Sequence, residues 1–491
     1  MGDSILRCLQ PTLPSINRLP TDVFVLIPHF FTYGKEWTYF PMNRPLITMT
    51  HVCQSWRNVL LSTPSLWTQI DFSESTESQQ EAFLRRSGKQ LLDVYHFLDG
   101  WGPFIQPHFS ITYHNLFRLR GLWITSMVPY LDQILMDFSS AAAPELKYLE
   151  IVNETTATEF IKLPKLFGGQ MPKLRSLVLH GIRDTNFCGF NFPSLAQFSF
   201  KTESEITVQD LTSLFERCPL LELVEIDLCY EPQQPTPPPP KRVCLAALQK
   251  LMLSGAACTS GLLDHLILPG CTFIMLHCGS TRSLGSDGLS AARIHPSSID
   301  HLPVTRGITK AVAMAYMCVF SGPNGTLRFW SSKNFDAEFV ASFSPISLSH
   351  ITELLIIPKE NRSKYAALNN PWEHTISGAC GAFEAFTAVE DLTIASCVTE
   401  PLFTALGMTV NSGILLPGLR RLSIDVGYGD LNVSTLFQCA KARKEHSRLL
   451  EEVTIVWGED PGADVIQAVE SLREYVGELT QRVSAPAPDF D

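Results

Sequence analysis

Pro144-Glu145-Leu146-Lys147-Tyr148-Leu149-Glu150-Ile151 is answered 28 residues later by Pro172-Lys173-Leu174-Arg175-Ser176-Leu177-Val178-Leu179. Both place apolar residues in one spacing: apolar, two of any type, apolar, one of any type, apolar. The spacing recurs at Leu119, Leu195, Leu221, Leu248 and Cys271, and after a gap at Ile351, Val389, Leu419 and Leu450, making eleven triplets. Alone it carries little weight, because a chain that is 45% apolar matches it by chance at about 44 of 491 positions. Proline is the stronger witness. Pro144, Pro172, Pro193, Pro219, Pro269 and Pro417 each stand two residues before a triplet, where 33 prolines in 491 residues would put fewer than about one. A strand can start there without losing a ladder hydrogen bond. The first seven triplets start 27, 28, 21, 26, 27 and 23 residues apart, the period of units that bury one face only by stacking on neighbours.

Composition bounds the function. The 491 residues suffice for two to four domains, or for a small module beside a large repeat array. With 38 basic and 49 acidic residues the net charge is −11, a field that repels phosphate backbones and argues against nucleic acid as partner. No membrane is implied: the longest strongly apolar stretch, Ala311 to Phe320, is 10 residues, against the ~20 of a spanning helix. The N-terminus has no secretory pattern, and Leu6 stands where a myristoylation signal needs Ser or Thr. Thirteen scattered cysteines without a C-x-x-C pair fit a reducing compartment, cytoplasmic or nuclear, better than a disulfide scaffold.

Upstream of the triplets the pattern is helical. Thr21 or Asp22 can cap a first helix, with Val23, Ile27 and Phe30 on one face and Pro28 predicting a short or kinked element. Leu46, Met49, Cys53, Trp56 and Leu60 step by 3, 4, 3 and 4 along a second run that Pro64 ends. The expected plan is a lead over 1–14, a helical head over 15–72 and a linker over 73–90, within which Glu81 to Arg86 reads as a short helix. An array follows over 91–480, with a proline-rich loop at 230–242 and an irregular section at 277–345, then a tail over 481–491. A head of about sixty residues with a broad apolar face is marginal alone, which points to a partner covering it.

In the head, Leu19-Pro20-Thr21-Asp22-Val23, Ile27, Val52-Cys53-Gln54-Ser55-Trp56-Arg57, Leu60 and Pro64-Ser65-Leu66-Trp67 together resemble an F-box. In particular they resemble F-box-like proteins with a divergent C-terminal leucine-rich-repeat array. Leu84-Arg85-Arg86-Ser87-Gly88 and Leu92-Asp93-Val94 look like the same continuation. The repeat resemblance is looser, its turn-closing Asn/Cys matched at Cys229 and Cys397. The resemblance implies an α/β chain, a small all-helical F-box head followed by an irregular leucine-rich-repeat solenoid with a parallel sheet. It also implies that the head docks on the Skp-type adaptor of a cullin-RING ubiquitin ligase while the array captures a target protein. Leu19, Pro20, Val23, Ile27, Val52, Cys53, Trp56 and Leu60 are then the adaptor-binding candidates, and sequence alone does not separate those facing the adaptor from those holding the head together. Exposed positions among the triplets, such as Lys147, Arg175, Glu222 and Arg420, are the expected capture surface.

The same residues permit a plain scaffold whose head only caps the array, or an α/β hydrolase-like enzyme. Against an enzyme, there is no phosphate-cradling glycine loop, no H-E-x-x-H and no G-x-S-x-G elbow. His265, Cys271, His277 and Cys278 match no zinc spacing. No catalytic residue, cofactor or metal is expected. Pro237 to Arg242 has the form of an SH3 ligand but reads first as a spacer, and Lys441 to Lys444 reads first as a solvated helix face.

Overall fold

The computed structural model describes residues 20–33, 44–73, 75–98, 106–128, 131–155, 161–183, 187, 190–202, 206–228, 242–255, 261–278, 302–314, 317–331, 348–357, 380, 383–384, 386–395, 400–410, 413–427 and 431–483. Leu19, Cys229, Cys397, the prolines from Pro232 to Pro240, and the tail beyond Val483 lie outside them. The chain is α/β, and among the described residues a large, mostly parallel sheet has 17 strands. It divides into two compact units, Met1–Lys201 and Thr202–Asp491.

The first unit opens with α1 (Thr21–Tyr33), α2 (Arg44–Thr50), α3 (Gln54–Leu61) and a 3₁₀ turn, Pro64–Trp67. The Pro20 carbonyl accepts the Phe24 N–H at 2.9 Å, so Pro20 stands at the N-cap and Asp22 lies in the first turn, where the helix dipole favours a carboxylate. Of the two expectations for Pro28, a short or a kinked element, the first does not hold: α1 runs 13 residues through a buried Pro28. Phe24, Leu46, Leu60, Leu66 and Trp67 form the interior. There the Trp67 indole N–H donates to the Leu60 carbonyl at 2.8 Å, satisfying a polar group that burial would otherwise penalise. Trp56 meets Phe24 edge to face at 4.7 Å, and Arg57 Nε donates to the Thr50 carbonyl at 2.9 Å, tying α3 to the end of α2.

Two boundaries differ from the expected plan. The head is not wholly helical to residue 72, because β1 (Gln69–Asp71) pairs in parallel with β2 (Leu92–Leu98), Ile70 opposite Val94. Nor is 73–90 a plain linker. It holds α4 (Glu77–Arg86), entered by a Thr76 N–H bond to Gln79 Oε1 of 3.0 Å. Phe83 packs 5.2 Å from Trp67, and the Arg86 guanidinium lies 4.5 Å over the same indole. The helix begins four residues before Glu81, because its first turn is polar and only Gln80 and Phe83 along α4 are buried.

From β2 the strands pair in parallel in chain order: β3 (Leu119–Ser126), β4 (Tyr148–Asn153), β5 (Ser176–His180) and β6 (Gln197–Thr202). Helices α5 (Gln106–His114) and α6 (Leu131–Asp137) fill two of the crossings. All three residues of every triplet are buried here, Leu146, Leu149 and Ile151 at 0–2% exposure among them. Proline has a different role from the one expected. Leu146 N–H bonds back to Ala143 O and Leu174 N–H to Met171 O, so Pro144 and Pro172 occupy the second position of a β-turn before the strand. Proline's fixed φ is suited to that place. The same turn encloses Pro193, Pro219, Pro269 and Pro417.

The second unit continues with α7 (Val208–Glu216), β7 (Leu223–Leu228), β8 (Lys250–Gly255) and β9 (Phe273–Cys278). The section read as irregular holds three strands, β10 (Lys310–Met314), β11 (Met317–Gly322) and β12 (Gly325–Ser331). They form an antiparallel meander whose last strand lies beside β9 and whose first lies beside β13 (Glu353–Ile357), both in parallel. The stretch Ala311 to Phe320 is thus folded back on itself. The Pro323-Asn324 hairpin between β11 and β12 needs Gly325, at φ +132°, where a Cβ would sit 2.1 Å from the Thr272 carbonyl oxygen.

Parallel pairing resumes through β14 (Asp391–Ala395), α8 (Glu400–Gly407), β15 (Arg421–Gly427), α9 (Val433–Glu445), β16 (Leu450–Trp457), α10 (Ala463–Glu470) and β17 (Val476–Val483). Within the basic run of α9, Arg443 is wholly buried. It donates to the carbonyls of Leu406, Leu415 and Leu416 at 3.2, 2.9 and 2.8 Å, so the run is not a single solvated face. Leu406 lies in the last turn of α8, where a cation meets the negative end of the helix dipole.

Candidate interaction surfaces

Among the described residues, no group of three or more His, Cys, Asp and Glu is placed to hold a metal ion. Burial pushes the Cys271 thiol up to about 11 and the Cys218 and Cys439 thiols to about 12, so all three are held as thiols rather than nucleophilic thiolates. His265 is buried, with Nδ1 at 2.9 Å from the Gly261 carbonyl. In the second unit an open cleft of about 660 Å³ is lined by Glu384, Thr387, Leu415, His446 and Arg448, among others. His446 Nδ1 lies 2.8 Å from the Ala442 carbonyl oxygen within its own helix end. No described helix is long and apolar enough to cross a membrane.

The head presents a different chemistry. Val23, Leu26 and Val52 are 42%, 54% and 58% exposed, on α1 and on the turn between α2 and α3, elements that pack against each other. Pro20 is exposed beside them, while Ile27, Cys53 and Trp56 are half-buried. Leu60, by contrast, is at 0% exposure and belongs to the interior, so it cannot meet a partner. Leu26 was missed by sequence reasoning. Helix α1 is apolar nearly all round from Val23 to Pro28, so its periodicity could not show that Phe24 faces inward and Val23 with Leu26 outward.

The outward strand face of the first unit is the second surface. Strand register sets Asp93, Gly121, Tyr148 and Ser176 in one row, and Tyr95, Trp123, Glu150 and Val178 in the next. Tyr95 stacks on Trp123 with centroids 4.5 Å apart and planes at 10°, and Trp123 lies 6.3 Å from Tyr148 at 17°. Gly121 makes this possible. A Cβ there would lie 2.1 Å from Cζ3 and Cη2 of the Trp123 indole, so the ring occupies the space a side chain would take. Asp93 is neutralised by Arg120 through a two-pronged contact, its Oδ1 accepting from Nε at 2.9 Å. Glu150 is half-buried, makes no hydrogen bond or ion pair among the described residues, and is pushed by burial to about 7.

The residues expected to line the strand faces lie at the margins of the strands in each unit. Lys147, Arg175, Glu222 and Arg420 occupy the strand entries, where Arg175 N–H bonds to Lys147 O at 2.8 Å and Gln249 N–H to Glu222 O at 2.8 Å. Arg420 pairs with Glu451 at 3.4 Å on the surface. The outward positions are one residue further on, at Tyr148, Ser176, Leu223 and Arg421. The triplet spacing contained this, because alternation places outward residues immediately before and after the middle apolar one. No protein-family profile matches the chain, and no curated protein is significantly similar to it.

Proposed function

We propose that the chain is a substrate receptor of a Skp-cullin-F-box type ubiquitin ligase, with an F-box head and a leucine-rich-repeat array. The observation that carries this reading is the set of exposed apolar side chains Val23, Leu26 and Val52 on a head whose own interior is closed by Phe24, Leu46, Leu60 and Trp67. Nothing in the head's stability requires those three to be apolar, whereas an adaptor helix docking across them would bury them. Of the motif residues, Pro20 stands at the N-cap of α1, and Cys53-Gln54-Ser55-Trp56-Arg57 caps and opens α3. On this reading the protein performs no bond chemistry. It holds a target near a ubiquitin-charged enzyme and raises the effective concentration of the target's lysines.

A second reading has its own support: β1 pairs with β2, and Trp67 packs on Phe83, as in a head that caps a parallel array. The two readings differ in what they ask of the exposed residues. Co-elution of the full chain with a recombinant Skp-type adaptor separates them. The ligase reading expects a stoichiometric complex that Val23→Asp with Val52→Asp abolishes while the melting temperature stays within about 2 °C, as for surface substitutions. No complex with the unaltered chain, or an undiminished one with the double variant, overturns it. Trp56 is unsuitable for this purpose, because its contact with Phe24 would confound docking with folding.

A further inference from the structure

We propose that the outward strand face of the first unit binds an arginine side chain of a partner protein, its guanidinium lying between the open face of the Tyr148 ring and the Glu150 carboxylate. The inference goes beyond the reading of the head and holds whether or not the head meets an adaptor.

Four observations converge on this occupant. The Tyr148 plane is nearly parallel to that of Trp123, so one face is turned to Trp123 and the other toward β5. The residue opposite on β5 is Ser176, too small to cover a ring, and Tyr148 is 41% exposed. Glu150 is two residues along β4, on the same face, and no described group hydrogen-bonds or pairs with it. Burial alone raises it to about 7, without compensation from a positive neighbour. The nearby cations are otherwise placed: Arg120 is on Asp93, and Lys147 and Arg175 stand at the strand entries.

A half-buried carboxylate beside an aromatic face calls for a cation, since both surfaces are negative toward the incoming group. Phosphate or an acidic peptide would be repelled. A sugar could stack on the ring but would leave the carboxylate charge unmatched. Arginine suits the site better than lysine, because a flat guanidinium can stack on the ring and still fork two N–H donors to one carboxylate. Gly121 belongs to the same device: by letting the indole lie flat over the strand, it props Tyr148 from behind.

The test uses the full chain carrying 5-fluorotryptophan, with the Trp123 fluorine resonance assigned through Trp123→Phe. The probes are acetyl-Gly-Ser-Gly-Arg-Gly-Ser-Gly-amide, its citrulline counterpart, which keeps the shape and loses the charge, and maltotriose. The proposal expects a saturable shift with the arginine peptide, at least about fivefold tighter than with citrulline, as befits a charge-assisted contact. It expects Glu150→Gln to reduce arginine binding to the citrulline level while leaving the unliganded tryptophan resonances in place. Equal binding of the two peptides, a response to maltotriose alone, no saturable shift, or arginine binding unchanged in Glu150→Gln would each overturn it.

Discussion

Replacing Glu150 by glutamine tests the electrostatics of the strand face without altering its shape. In the folded chain burial holds this carboxyl near 7, against 4.5 for the free group. Between those values the native state keeps a proton that the unfolded chain has released, so Glu150 makes stability fall as pH rises from 4.5 to about 7. The penalty is absent below that window and complete above it. At 1.36 kcal/mol per pH unit the interval caps the cost at about 3.4 kcal/mol. Water reaches part of the carboxylate, which reduces the expected figure to about 1–2 kcal/mol. Glu150 is faced by Trp123 on β3 and Val178 on β5, with Tyr148 and Val152 on its own strand. The charged or titratable groups nearby are the Asp93–Arg120 pair, Lys147, Arg175 and His180, whose Nε2 lies 2.9 Å from Ser199 Oγ. These are common to both proteins and cancel in the difference. Urea unfolding followed at the Trp123 fluorine resonance reports this unit without requiring the whole chain to unfold in two states. The Glu150→Gln chain should match the parent at pH 5 and exceed it by about 1–2 kcal/mol at pH 8. A difference that does not change with pH, or a destabilised variant at pH 8, would refute the reasoning.

Three further outcomes follow from packing. Gly121→Ala should expel the Trp123 indole from between Tyr95 and Tyr148, costing about 1–3 kcal/mol and removing near-ultraviolet circular dichroism from the stacked rings; a parent-like spectrum would contradict the geometry. Arg443→Met should lower the stability of the second unit by about 3 kcal/mol in urea melts, because three buried carbonyls lose their donor, and an unchanged midpoint would show that they have other partners. Pro172→Ala should cost about 0.5–1 kcal/mol through the freer unfolded chain with an unchanged spectrum, whereas a larger loss with altered strand signal would mean that Pro172 does more than preset its turn.

Much of the parallel array was legible because its physics is repetitive. A triplet such as Leu221, Val224 and Ile226 is buried as the pattern demands, and each proline-led turn announces the strand that follows. The meander between β9 and β13 was not legible. Ala311 with Ala313, Cys318 with Phe320, and Leu327 with Phe329 alternate with period two, so the triplet spacing has nothing to match. Helix α4 was half-read because its buried side consists of Phe83 and a hydrogen-bonded Gln80, whose side chain donates to the Ser75 carbonyl at 2.8 Å. On the candidate surfaces, sequence found the elements but not their orientation. The all-apolar run of α1 concealed which side faces out, and the capture residues were placed one position early, at Lys147 and Arg175 rather than Tyr148 and Ser176.

The most direct test of the ligase reading is amide hydrogen exchange of the full chain with and without a recombinant Skp-type adaptor. Exchange should slow on binding in Thr21–Tyr33 and across 44–61, with the strands of both units unaffected. Protection confined to the strands, or none at the helices that carry Val23, Leu26 and Val52, would contradict it.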